Sequence, residues 1–491
     1  MIQSNPFFNR SSNQDQPIIE DTNHELTKMN KKTSLIIYLL LIVFTMIECG
    51  RNRPVSGKTT DVILKTGCNP VITEGSADPS VRVFDDRIYI FSSHDFSPDN
   101  EFWIMKDWKV YSSDDLINFT DHGVILKGEE VSWAVEPDHC WAPDCIEKNG
   151  KYYFYFPLSD KTGIWKGTIG AAVGDTPLGP FKDALGHPLI YDDDRPEDFD
   201  GGFYNIDPAA FTDDDGRSYL FWGNGACFMA ELNEEMISLK SEIRNVKIEN
   251  HQGYREGPFV WKRRGIYYLL YSRTGSSGYD VLDYATSAQI QGPYQFKGTI
   301  VGHGRKGNEH GSVFQYKGQW YVAYHDLFPT DKFRKTCLEI IHYRENGEIV
   351  RVQPTRKGVG WYDASEKIEA ENYLEKSVDI EYKELNDSGF YMDHVRNGCW
   401  LKFPNVKLAF NFQNNFSARI ASGSEGGKIE IVIDSLKGNK VGELDIKNSG
   451  GWDSWQVLDT VLVPITGTRD VFLKFTGKEE ELFNLDWFRL N

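Results

Sequence analysis

Five stretches of the chain repeat one local design, and that repetition narrows the fold more than any other feature. "DDRIYIFSS" (85–93), "NGKYYFYFP" (149–157), "DGRSYLFWG" (215–223), "RGIYYLLYS" (264–272) and "KGQWYVAYH" (317–325) each set a tight turn before a short aromatic strand. Ahead of each turn lies a second strand opened by a polar residue beside Pro or Gly: "ADPSVRVF", "WAPDCIEK", "IDPAAFTD", "EGPFVWKR" and "EHGSVFQY". The polar residues are Asp78, Asp144, Asp207, Glu256 and His310, about 50 to 65 residues apart. Helical periodicity is scarce between Cys68 and Trp361, so the region reads as all-β. Repeats of this length built from short strands are the mark of propeller blades, and five copies predict a five-bladed β-propeller.

In such a ring the innermost strands line a central channel. If the units are equivalent, their polar residues meet at one mouth of it. Each acid could instead do no more than cap a turn, as Asp commonly does. The chain has no nucleophile elbow, no phosphate-cradling Gly loop and no zinc-binding helix. The net charge of −18 leaves no basic surface for nucleic acid. What remains is carboxylates among aromatics, in a chain with 13 Trp. Paired carboxylates across a cleft are what glycoside hydrolysis needs: one ionised, one protonated. A third acid sets the two apart, because like charges raise each other's pKa.

Taken in order, these motifs resemble glycoside hydrolase family 43 over residues 66–360. The resemblance implies inverting action on furanosides and xylosides. It places the general base on Asp78 of "ADPSV", the general acid on Glu256 of "EGP", and a residue that adjusts the acid and holds substrate on Asp207 of "NIDPAAF". It also puts Trp141 and Asp144 of "WAPD" near the pocket, and His310 beside a central ion such as calcium. His94 and Asp95 in "SSHD", with Trp103, are further candidates for touching sugar. "DDDRPEDFDGG" (192–202) reads as a solvated insertion loop and "TDDDG" (212–216) as a hairpin turn.

Near Asp363 the pattern changes, and residues 362–491 read as a β-sandwich of short alternating strands. "IEAEN", "GGKIEI", "GGWDSW" and "FNLDWF" resemble carbohydrate-binding module family 6, a jelly-roll sandwich. The resemblance implies a structural calcium on Glu369, Glu371 and Asp486. It implies a sugar site with Trp452 and Asn484, where His394 stands at an expected aromatic position. The first 48 residues read as a leader, with translation starting at Met29 and an apolar run from Leu35 to Ile47. Cys49 resembles a bacterial lipoprotein acylation site, so the expected location is the periplasm or the outer membrane, with residues 49–65 as linker. The other six cysteines, Cys140 and Cys145 included, are expected to be free thiols.

The expectation is therefore an exported enzyme, with a propeller over 66–361, that releases terminal α-L-arabinofuranose or β-D-xylose from plant polysaccharide. It uses no redox or nucleotide cofactor; calcium, if bound, is structural. β-D-Galactofuranoside hydrolysis and endo-acting arabinan cleavage are alternatives on the same fold. A non-catalytic glycan-binding propeller is the alternative of another class.

Overall fold

The computed structural model describes residues 62–65, 68–96, 104–160, 167–275, 280–302, 310–327, 332–386, 389–408 and 415–490. The leader, Cys49 and Trp103 lie outside these.

Five sheets follow one another along the chain, antiparallel except where Ile248–Glu249 joins the fourth in parallel, and their innermost strands are Ala77–Phe84, Asp144–Lys148, Ala209–Thr212, Glu256–Arg263 and Gly311–Tyr316. Four of the five repeated turns are two-residue hairpins with both central residues left-handed: Asp85-Asp86, Asn149-Gly150, Arg264-Gly265 and Lys317-Gly318. That geometry matches the right-handed strand twist, which is why these dipeptides sit there. The third turn is longer: Thr212 pairs with Ser218 across five residues, and Asp213 receives Lys262 and Tyr267 of the next blade.

The aromatic strands are apolar on both faces because each is buried on both faces. Along Ser218–Trp222, Leu220 and Trp222 pack against blade 2, whereas Tyr219 and Phe221 pack against blade 4. In blade 4, Leu269 and Tyr271 turn to blade 3, and Tyr268 and Leu270 to blade 5. Tyr321 and Ala323 of blade 5 then meet Ile88 and Ile90 of blade 1. The period-2 alternation thus runs round the circle and closes it at five. Closure is reinforced along residues 69–76, where Val71 N–H donates to Thr336 O (2.9 Å) and Ser76 N–H to Arg334 O (2.9 Å).

At the axis, Arg82 reaches across the ring. Its guanidinium binds both carboxylate oxygens of Asp144 in blade 2 (2.9 and 2.5 Å), donates to Ala210 O in blade 3 (2.8 Å) and lies 4.7 Å from the Phe259 ring in blade 4.

The C-terminal module is a sandwich of two sheets. One carries Trp400–Lys407, Thr468–Thr476, Gly427–Ile433 and Asn439–Ile446; the other carries Phe390–Val395, Phe483–Leu490, Asn415–Ser422 and Gly451–Val461. Leu401, Phe403, Ile431 and Leu473 face Phe416, Ile420, Leu485 and Phe488 in its core. The two modules are joined by more than the chain. Gln319 Nε2 donates to Glu371 O (2.7 Å), and His342 Nε2 meets Asn372 Oδ1 (2.8 Å). Leu374 is sealed inside the core shared by blades 5 and 1. Leu374→Ala should therefore cost about 2–5 kcal/mol, although the residue belongs to the sandwich. Calorimetry should show a lower melting temperature for the propeller; an unchanged melt would mean the seat is not sealed.

Candidate active site

Asp78 and Asp207 occupy equivalent places. Each immediately precedes a proline, and each adopts a left-handed backbone, φ 52° and 58°. For a residue other than glycine this costs about 1–2 kcal/mol. In blade 1 the kink coincides with a register shift between Ala77 and Ser80, the kind of irregularity that re-aims a side chain. In blade 4 the left-handed place before proline is taken by Gly257 (φ 67°). A Cβ there would lie 2.9 Å from His310 Cδ2. The carboxylate of this blade is consequently carried one residue earlier, by Glu256. The equivalence expected from the sequence is thus offset by one residue at Glu256.

Asp78 is 6% exposed and fully engaged. Ser93 Oγ donates to Oδ2 (2.6 Å) and Arg334 donates to Oδ1 (3.1 Å). His325 Nδ1 meets the Asp78 N–H (2.8 Å) and lies 3.3 Å from Asp78 Oδ1. Arg334 is itself fixed by Asp95, with 3.1 and 2.9 Å bonds from its guanidinium and a 2.9 Å bond from its backbone N–H. Burial is the largest single influence and acts to raise the Asp78 carboxyl, but Arg334, His325 and His310 together outweigh it and hold the group far below the usual carboxylate range.

Glu256 is in the opposite state. Burial raises it, Arg255 and Asn224 oppose, and the Asp78 and Asp280 carboxylates add to the rise. Asn224 Nδ2 donates to its Oε2 (2.5 Å). Asp207 is pushed up further, by burial first and then by Glu256 and Asp78, although Gly257 N–H donates to its Oδ2 (3.0 Å). Asp207 and Glu256 are thus both pushed toward their protonated forms, while Asp78 is held as an anion. His310 lies 3.8 Å from Asp207 Oδ2, and burial pulls it down to about 4, so it is neutral near pH 7. Both its ring nitrogens are buried without a protein partner, which fits a hydrogen bond to water or to an ion's hydration shell.

The structure corrects several sequence expectations. Asp144 is sealed between blades, its side chain 1% exposed. Beyond its contacts with Arg82, it accepts Ser80 Oγ–H (2.5 Å) and Ala210 N–H (2.6 Å), so its carboxylate is spent tying blades together. Its position falls two residues past that of Asp78 when the motifs are aligned on proline. His94 Nδ1 pairs with Asp107 (2.6 Å), and Asp95 holds Arg334 rather than standing free for sugar. Trp141 is half-buried against the core between blades 1 and 2, with His139 4.9 Å from its ring. Arg334, His325, Ser93 and Asn224 were not singled out by the sequence; Arg334 lies 256 residues from Asp78 and belongs to no repeated motif. Cys140 and Cys145 are free and buried, as expected.

In the sandwich, Asn484 is 1% exposed. Its Oδ1 accepts His394 N–H (2.8 Å) and its Nδ2 donates to Trp452 O (2.9 Å), so it clamps two strands and is not presented to sugar. Trp452 is half-buried, lying on Gly423, where a Cβ would come within 2.6 Å of Nε1, and its ring centroid is 4.4 Å from that of His394. Among the described residues no cluster of three or more side chains forms a ready metal cage. Glu369, Glu371 and Asp486 nonetheless sit close enough to perturb one another: burial raises all three, and Asp486 adds to the rise at both glutamates. Glu371 Oε2 is buried with no partner, which fits a cation, whereas Asp486 already has Arg419.

Comparison with known proteins agrees with this architecture. The pattern described as "Glycosyl hydrolases family 43" matches residues 68–349, and "Carbohydrate binding module (family 6)" matches residues 369–491. The arabinoxylan arabinofuranohydrolase of Bacillus subtilis (strain 168) is 28% identical over 94% of this chain and 99% of its own length. A β-D-galactofuranosidase of Aspergillus niger is 33% identical over 67% of this chain and 96% of its own. The crystal structure of a family 43 arabinoxylan arabinofuranohydrolase from Bacillus subtilis, in complex with cellotetraose, matches with a TM-score of 0.53 at 27% identity, covering 89% of this chain and 100% of that one. With three acids set apart electrostatically at the strand openings of a five-bladed propeller, and a sandwich of the carbohydrate-binding type behind it, the chain is a glycosidase and belongs to glycosyl hydrolase family 43.

Proposed function

We propose that the protein is an inverting, exo-acting glycosidase that removes terminal α-L-arabinofuranose or β-D-xylose from plant polysaccharide. The observation that carries the reading is the opposite electrostatic treatment of neighbouring acids: Arg334 and His325 hold the Asp78 carboxyl down, while burial pushes Glu256 and Asp207 up. In this reading Asp78 takes a proton from a water, whose oxygen attacks the anomeric carbon from the face opposite the leaving group. The bond to the leaving oxygen breaks, and that oxygen takes the proton of Glu256. Asp207 adjusts the acid and binds substrate. The similarity to the arabinoxylan arabinofuranohydrolases supports arabinofuranose; the similarity to the galactofuranosidase favours β-D-galactofuranoside as the second reading. Rates on nitrophenyl α-L-arabinofuranoside, β-D-xyloside and β-D-galactofuranoside, with sugar release from arabinoxylan, separate these. No release from any of them would sink the proposal.

Arg334 gives the reading a pH signature. Because the Asp78 carboxyl is depressed, activity is retained as pH falls until that carboxyl protonates, below the ordinary carboxylate range. Arg334→Gln removes the strongest depressing influence and leaves burial, which raises the group, opposed only by His325 and His310. The acidic limb of the kcat/KM profile should then move to higher pH by at least about one unit. An unmoved limb would mean that Asp78 is not the base.

Glu369 and Glu371, with Asp486, are the residues that would hold a structural calcium, which neutralises their mutual repulsion and takes no part in the reaction. A chelator should lower the melting temperature of the sandwich, and added calcium should restore it; an indifferent melt would argue against the ion. His310 would face a central ion through water.

A further inference from the structure

The acidic segment that sequence composition casts as solvated is built into blade 3. Asn205, fully buried, organises it: Nδ2 donates to Tyr191 O (2.6 Å) and Asp194 O (2.9 Å), and Oδ1 accepts Trp222 Nε1–H (3.0 Å). Phe199 and Phe203 pack edge-on against Phe228, with ring centroids 5.1 and 5.4 Å away. The segment also passes so close to Gly225 that a Cβ there would lie 2.7 Å from Gly202 O. Anchoring is therefore complete without Tyr204, whose side chain is left 41% exposed.

The position of Tyr204 is fixed by its backbone. Tyr204 N–H donates to Asn224 O (3.0 Å) and Asn224 N–H to Tyr204 O (2.9 Å), an antiparallel pair that exchanges both bonds. Residues paired in this way carry their side chains on the same face, with Cβ atoms about 5 Å apart. Asn224 uses its side chain to hold Glu256. The exposed phenol ring of Tyr204 thus starts one residue-width from the group that holds the proton donor.

We propose that Tyr204 is the platform for the sugar on the leaving-group side, stacking on the apolar face of a main-chain pyranose ring. The inference rests on the reading of Glu256 as the donor: the oxygen it protonates belongs to that sugar, so whatever lies beside Glu256 on its Asn224 side lies beside the leaving group. Tyrosine suits the task, since it offers a flat apolar face with a polar tip.

The test compares two substrates of the full-length protein. One is a xylo-oligosaccharide with a single arabinofuranosyl branch. The other is α-L-arabinofuranosyl fluoride, whose leaving group has no ring to stack and needs little protonation. Tyr204→Ala should lower kcat/KM on the oligosaccharide about ten-fold or more, the equivalent of one lost apolar contact surface, and keep its rate on the fluoride. Tyr204→Phe should restore most of the loss. Equal falls on both substrates, or no fall on either, would overturn the inference. Glu256→Ala, run alongside, should lose the oligosaccharide and keep the fluoride. If it does so while Tyr204→Ala shows no split, Tyr204 alone has been misassigned; if it keeps the oligosaccharide, the site reading fails and takes the inference with it.

Discussion

Asp78→Ala should lose hydrolysis of every substrate by about four orders of magnitude, the upper end of what a positioned base contributes. Water must be deprotonated as it attacks, whatever departs on the other side, so an activated leaving group cannot rescue the variant. Asp78 is also the group in which the protein invests most: a left-handed backbone, Ser93, and an arginine fixed by three bonds to Asp95. An added anion such as azide can occupy the vacated space and attack in place of water, and should restore turnover by giving a glycosyl azide. Rates on dinitrophenyl and natural substrates, with and without azide, make the measurement. Substantial activity of the variant on dinitrophenyl glycosides without azide would remove Asp78 from its role.

Glu256→Ala should divide substrates by leaving group. Natural substrates depart as poor anions and need the proton, so their rates should drop by about 10²- to 10⁴-fold. Dinitrophenolate leaves without protonation, so dinitrophenyl glycosides should retain much of their rate. Because the alkaline limb reports loss of the donor's proton, in Glu256→Ala it should flatten for dinitrophenyl substrates. If Glu256→Ala and Asp78→Ala respond alike to leaving-group quality, the acid and the base have been confused.

The ring was readable because its signals are local. Left-handed pairs such as Asn149-Gly150 and Lys317-Gly318 announce hairpins two residues long, and continuous aromatic strands such as "YYLLY" announce burial on both faces. Asp78, Asp207 and Glu256 were legible because each sits at the opening of such a unit. Asp144 behaves differently because the same opening, shifted by two residues, turns its carboxylate to Arg82 and to a neighbouring blade's backbone. Arg334 and Asp95 could not be read as partners: they meet only because the ring closes, 239 residues apart, and neither carries a local signature. Asn484 shows the converse. Its residue type suits a sugar site, yet two backbone groups claim its amide. The segment 192–202 reads as a solvated loop, and Asp193, Glu197, Asp198 and Asp200 are exposed; what its charges hide is that Asn205, Phe199 and Phe203 anchor it.

The reach of Arg82 over four blades has a consequence for how the molecule comes apart. In a linear array of repeats, end units can fray singly, because each contacts only its neighbours. Here, detaching blade 2 strands the Arg82 guanidinium opposite Phe259 and Ala210, and detaching blade 1 leaves the Asp144 carboxylate buried with its main cation gone. An uncompensated buried charge is costly, on the order of 3–5 kcal/mol when one partner is removed. Partial opening at the axis is therefore penalised whichever blade begins it. The propeller should behave as one cooperative unit, with no cheap route by which a single blade peels away and takes Asp78 out of register with Glu256.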